Sequence, residues 1–226
     1  MLYKLMIDSE NIDNSCSLEN RKVIKVNEKL SENLYDYILS SSNGVINMEA
    51  IQEKVTPIIK NIDVFISYDH ADYEKACYLA ECLENCGYKV FLDSLFWKSV
   101  DGITNLFNKR YNLSDDGKTY DYKKTKKTIS TFNMILTDSI IETVRNSKIF
   151  IFIRNQDLQN DYRTESPWIY LENKIAANCV YPQNKALFED SQNAPQIRFE
   201  LVFKGEIFYS VNEIIKFIRR KYEKYT

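Results

Sequence analysis

Side chains able to do chemistry gather in three stretches: Tyr68-Asp69-His70, the run Asp93-Ser94-Leu95-Phe96-Trp97-Lys98-Ser99, and Trp168 with Glu172. Trp168 and Glu172 stand four positions apart, so on a helix both project from one face, an apolar wall beside a carboxylate. His70 is the single histidine of the chain. A nucleophile–histidine couple is therefore open only with His70 as its base, and multi-histidine zinc sites are excluded. Cys16, Cys77, Cys82, Cys86 and Cys179 form no Cys-x-x-Cys pair. They read as small buried thiols of a reducing compartment, Cys82 and Cys86 on one helical face, in preference to metal or redox roles. No Gly-x-Gly-x-x-Gly or Gly-x-x-x-x-Gly-Lys loop occurs, so any nucleotide must be held without a glycine cradle.

Each of these residues also has an ordinary structural reading. A Glu on a helix face is usually solvated surface, and a Trp is more often core than substrate wall. Asp69 and Asp72 suit the N-cap of a following helix, and Asp93 suits a turn after a strand. The basic end of the last helix, Arg219, Arg220, Lys221 and Lys224, complements the helix dipole.

The elements that must position these residues follow from periodicity. Residues 62–68 and 88–92 are short apolar runs of strand length, and 149–153 are five consecutive apolar residues, as in strands buried on both faces. Between the first two, Ala76, Leu79, Ala80 and Leu83 mark a helix closed by Gly87. Phe132, Ile135, Leu136, Ile140 and Val144 mark a helix over 131–145, and Ser166-Pro167 opens another. Residues 197–203 alternate as a fourth strand, and Ser210-Val211-Asn212-Glu213 is a capping box for a last helix. Strands alternating with helices predict a parallel sheet covered on both faces, with ligands beyond the carboxyl ends of its strands. Upstream, helical spacing over 21–39 and 48–60 predicts a helical N-terminal extension, residues 1–60.

The chain has 226 residues, with 30 Lys+Arg against 32 Asp+Glu for a net charge of −2. That is room for one to two domains, and it lacks the basic excess of a nucleic-acid or acidic-membrane binder. No signal pattern and no apolar run of membrane-spanning length occur, which leads to the expectation of a soluble cytoplasmic protein. Residues 104–130 carry Lys118, Lys123, Lys124, Lys126 and Lys127 interleaved with Tyr120 and Tyr122. They are expected to form a solvated loop containing a turn at Asp115-Asp116-Gly117.

In this order the motifs resemble the Toll/interleukin-1 receptor (TIR) domain in its bacterial form. The resemblance rests on Asp63-Val64-Phe65-Ile66-Ser67-Tyr68 followed by Asp72, then Leu79, Leu83 and Gly87-Tyr88-Lys89-Val90-Phe91-Leu92-Asp93, then Trp97, then Ser166-Pro167-Trp168 with Glu172. It covers residues 62–180 and, loosely, the last strand and helix. Residues 104–130 are an insertion relative to a minimal member. Asp69-His70 stand where many enzymatic members carry basic or small residues.

The resemblance implies a flavodoxin-like α/β domain over 61–226, with a parallel sheet of four to five strands. It implies cleavage of NAD⁺ between nicotinamide and ribose, giving ADP-ribose or a cyclic derivative. Glu172 would be the catalytic carboxylate, stabilising the oxocarbenium-like charge on the ribose, and Trp168 would shield it. Tyr68, Asp69, His70, Asp93, Trp97 and Trp168 would contact the nucleotide, with 93–99 as a mobile loop that closes or docks a neighbouring protomer. NAD⁺ is then a substrate, with no cofactor and no metal. The implied partners are other TIR domains and a separate effector reached through the nucleotide product, as in a Thoeris-type antiphage system, with no nucleic acid and no membrane. The rival expectation is a non-enzymatic TIR–TIR adaptor module. A third is a nucleoside deoxyribosyltransferase-like hydrolase.

Overall fold

A computed structural model describes residues 2–12, 36, 61–155, 163–164, 166–179, 199–200 and 205–222, with backbone alone at 93–100, 163, 199–200 and 222. The elements are β1 (Tyr3–Asp8), β2 (Val64–Ser67), α1 (Tyr73–Asn85), β3 (Val90–Leu92), α2 (Asp93–Tyr111), α3 (Tyr122–Asn146) and β4 (Ile149–Arg154). After them come β5 (Arg163–Thr164), α4 (Pro167–Cys179), β6 (Phe199–Glu200), β7 (Glu206–Phe208) and α5 (Val211–Tyr222). Five strands form one sheet in the order β3-β2-β4-β1-β7. Every pairing in it is parallel. The fold is thus α/β with helices on both faces, consistent with a flavodoxin-like arrangement.

Strand alternation divides the core into two halves. Phe65, Phe91, Phe150, Phe152 and Met6 point to one face, where Ile103 and Phe107 of α2, Phe132, Leu136 and Ile140 of α3, and Ile169 and Ala176 of α4 cover them. Phe65 stacks on Phe150 with ring centroids 5.6 Å apart and on Phe91 at 5.5 Å. Val64, Ile66, Leu5, Ile7, Ile149, Ile151 and Ile153 point to the other face, beneath Leu79 and Leu83 of α1 and Ile214 and Ile218 of α5. Gly87 ends α1 with φ at 90°, and Tyr88 N–H returns to the Leu83 carbonyl at 3.2 Å. This is the left-handed closure expected of that glycine. The capping box is present: Ser210 Oγ accepts from Glu213 N–H, and Glu213 reaches back to Tyr209 N–H at 3.0 Å.

Three expectations need correction. The described start of the expected extension, residues 2–12, holds no α-helix: it is β1 followed by a 3-10 turn over Ser9–Asn11, and β1 lies inside the sheet, paired with β4 on one side and β7 on the other. Of the helices expected over 21–39 and 48–60, only Asp36 is described, and it is helical; the rest lies outside the described residues. The fourth strand expected over 197–203 is described only at Phe199–Glu200, and it pairs antiparallel with β5 in a separate two-stranded sheet. The sheet's edge is instead β7, three residues long.

The third correction concerns residues 104–130, which form a helical hairpin and not a solvated loop. Asn112, after the end of α2, donates both hydrogens of Nδ2, to Asn108 Oδ1 and to Thr128 Oγ1, each at 2.7 Å. Asp121 caps α3 by accepting from Lys124 N–H. The turn at Asp115-Asp116-Gly117 is where it was expected, with Gly117 at φ 64° and Asp116 accepting from Lys118 and Thr119 N–H. Asn108, Asn112 and Thr128 are all buried. Asn112→Ala therefore strands two buried polar groups and is expected to cost about 1–3 kcal/mol in urea unfolding. An unchanged midpoint would show that the network does not hold the hairpin.

Candidate functional site

The helix after β4 carries the residue the motif singled out. Its start is fixed locally: Ser166 N–H donates to Thr164 Oγ1 at 3.0 Å, Ser166 Oγ accepts from Ile169 N–H at 3.3 Å, and Pro167 occupies the first turn. The buried stripe of α4 is Ile169, Glu172, Asn173 and Ala176, helical spacing that faces the sheet. Glu172 is at 0% exposure. Trp168, one turn earlier, is half-buried and packs against the core of the same sheet face. The carboxylate thus sits at a position where an amphipathic helix ordinarily places an apolar side chain, at a substantial desolvation cost.

Beside it comes a residue that the periodicity reading did not single out. Lys4, on β1, is 4% exposed. Its ammonium lies 5.7 Å from the centre of the Phe150 ring and donates to the backbone carbonyl of Asn173, next to Glu172, at 3.3 Å. Burial lowers its pKa from 10.5 to about 8. Asn173 anchors to its own helix through Nδ2, which donates to the Ile169 carbonyl at 3.0 Å.

At the carboxyl ends of the strands, Asp8 of β1 and Arg154 of β4 stand opposite each other in register. Ser9 follows β1 and is buried, and its hydroxyl donates to Asp72 in the loop after β2. Burial raises the pKa of Asp72, with Lys75, 3.6 Å away, and the Ser9 hydrogen bond opposing that shift. Asp72 stands at the N-cap of α1 without capping it. Its side chain instead ties the loop after β2 to the loop after β1.

The other expected site residues are spread over several places. Tyr68 is buried in the core under α1 and α5, across the sheet from Trp168. Asp69 caps the short 3-10 turn His70–Asp72 by accepting from Ala71 N–H at 3.0 Å, and His70 is exposed. Asp93 and Trp97 belong to the first turns of α2, so the expected loop over 93–99 is helix; their side chains lie outside the described ones. Cys86 falls just past the last residue of α1, where its sulfur accepts from Arg219 at 3.3 Å.

Sequence reasoning reached Glu172 and Trp168 through spacing but passed over Lys4, Asp8, Ser9, Ser67 and Arg154. A signal existed for one of them: Arg154 follows immediately on the apolar run of β4, at the strand end where ligands of α/β sheets collect. Among the described residues no group of three or more His, Cys, Asp or Glu is placed to hold a metal ion. No helix among them is long and apolar enough to cross a membrane. Compared with protein-family models, with curated proteins and with solved structures, the chain matches none.

Proposed function

We propose that this chain is a TIR-type enzyme that cleaves NAD⁺ at the bond between nicotinamide and ribose. The observation that carries the reading is Glu172, a carboxylate held at 0% exposure on the helix that follows β4, four residues after Trp168. An apolar residue of similar volume would fill that position at lower desolvation cost.

The chemistry suits such a group. When the C1′–N bond breaks, its electron pair passes to the ring nitrogen of nicotinamide, which leaves neutral without needing an acid. Positive charge develops on the ribose, and the Glu172 carboxylate stabilises it in a site shielded from water. Water then adds at C1′ and releases a proton, giving ADP-ribose; a nucleophile within ADP-ribose adding instead gives a cyclic product. Because Glu172 is wholly buried, nucleotide entry requires α4 and the sheet to separate at the carboxyl ends. Activity in an assembled state and silence when dilute is the corresponding behaviour. Within the TIR reading, self-association and a nucleotide product acting on a separate effector in antiphage defence are the proposed context.

The same burial favours a second reading, in which Glu172 is structural and the chain is a TIR adaptor module. Nicotinamide release from NAD⁺, followed by chromatography on dilute, concentrated and activator-supplemented protein, decides between them. Wild type is expected to release nicotinamide, and Glu172→Gln is expected to lose about 10²- to 10³-fold or more with an unchanged circular dichroism spectrum. No release in any state supports the adaptor reading, and equal release by the variant removes Glu172 as the catalytic group. Turnover of deoxynucleosides would point to the third, hydrolase reading.

A further inference from the structure

The Asp8–Arg154 pair is more than the register of the sheet requires. Arg154 Nε donates to Asp8 Oδ1 at 2.6 Å and Nη2 donates to Oδ2 at 3.0 Å. The two side chains are 12% and 16% exposed. The register of β1 on β4 is already set along its length by backbone pairing from Tyr3↔Ile149 onward and by the apolar residues buried on both faces. A largely desolvated ion pair is a costly way to repeat that, and apolar residues of similar volume would serve stability as well or better.

Its location suggests another use. Alternation places Asp8 with Met6 and Arg154 with Phe152, on the sheet face that α4 covers. Ser67 ends β2 on the same face, paired with Phe152 and two positions after Phe65. It is at 0% exposure, and its hydroxyl has no hydrogen-bond partner among the described residues. A buried hydroxyl without a partner among the described residues, at the ligand end of the sheet and close in register to a guanidinium held flat by a carboxylate, suits an acceptor-rich ligand. The chain has no glycine loop to hold phosphates, so side chains must supply that function.

We propose that this corner is the pyrophosphate subsite for a nucleoside-diphosphate ligand. Arg154 supplies the charge and a planar fork matched to phosphate oxygens, Ser67 supplies a hydroxyl donor, and Asp8 orients the guanidinium while competing for it. The proposal rests on the NAD⁺ reading for the rest of the ligand, but binding tests it separately from cleavage. The probes are ADP-ribose and adenosine, titrated calorimetrically at low salt into wild type, Arg154→Gln, Asp8→Asn and the double variant Asp8→Asn/Arg154→Gln. The double variant leaves a neutral pair of similar shape, so the corner is not destabilised by a lone charge.

Arg154→Gln and the double variant are expected to weaken ADP-ribose binding about 10- to 100-fold. Asp8→Asn, which frees the guanidinium from its competitor, is expected to tighten it. Adenosine binding should not respond. A purely structural ion pair would instead give losses of the same sign for Asp8→Asn and Arg154→Gln. That outcome, equal wild-type affinity for adenosine and ADP-ribose, or no ADP-ribose binding by wild type overturns the subsite. Nicotinamide release with an Arg154→Gln KM equal to wild type removes the subsite and leaves the enzyme standing. Charge-dependent ADP-ribose binding without any nicotinamide release does the reverse.

Discussion

A fragment beginning at residue 61 is expected not to fold. By motif and periodicity it is a complete domain, yet it lacks β1, the strand next to the edge of the sheet. Leu5, Met6 and Ile7 are 1%, 2% and 0% exposed. At about 1.5–3 kcal/mol for each fully buried side chain, they account for roughly 5–9 kcal/mol against a whole-domain stability of about 5–15. Their loss also opens one side of β4 and strips β7 of its partner in the sheet, leaving unpaired strand edges that favour aggregation. The fragment should therefore lack a cooperative thermal transition and dispersed amide resonances in NMR. Restoring residues 1–60 should recover both. A well-folded fragment would show that β1 is a dispensable addition to the sheet.

The second large effect is a dependence of stability on pH centred on Lys4. Its pKa is about 8 in the folded protein because burial disfavours the ammonium, against 10.5 for the free side chain. Below pH 8 both states carry the proton and the folded state bears the full cost of burying the charge. Between about 8 and 10.5 the unfolded chain still binds a proton that the folded chain has released, so stability rises with pH across that window. The full difference corresponds to about 3 kcal/mol at 1.36 kcal/mol per unit. The 16 tyrosines begin to ionise at the upper end of this range, so the effect is read as a difference from Lys4→Met, which cannot titrate. Urea midpoints at pH 7.5, 9 and 10 should show wild type gaining on Lys4→Met by up to about that amount. A constant difference across the three would mean that Lys4 is hydrated in the folded protein.

How far the sequence could be read depended on where each side chain's partner lies. β4 was legible because five apolar residues in a row have few uses other than a strand covered on both sides, and Phe150 and Phe152 do face away from Ile149, Ile151 and Ile153. β1 was not, because its pattern is broken by Lys4, and a lysine ordinarily marks a face as solvated. Once that strand is missed, the Asp8–Arg154 pair is invisible too, since its members are 146 positions apart. Glu172 was found through its spacing from Trp168, but its burial was not foreseen: Ile169, Asn173 and Ala176 form the inward stripe with it, a grouping that the Trp-based face obscured. The hairpin was misjudged because its lysines resemble a loop, although Asp121 offered a readable cap for α3.

The position of β1 also bears on how the protein is made. In a flavodoxin-like sheet of order 2-1-3-4-5 the fourth place belongs to a strand from late in the chain; here an early strand takes it, between β4 and β7. β1 leaves the ribosome long before either neighbour exists, and its apolar residues stay without a sheet until both have been synthesised. Closure of the sheet therefore waits until β7, Glu206–Phe208, has been made, with the slow, non-local closure that distant pairing imposes. During synthesis the nascent chain displays Leu5, Met6 and Ile7 as a segment for chaperones to hold.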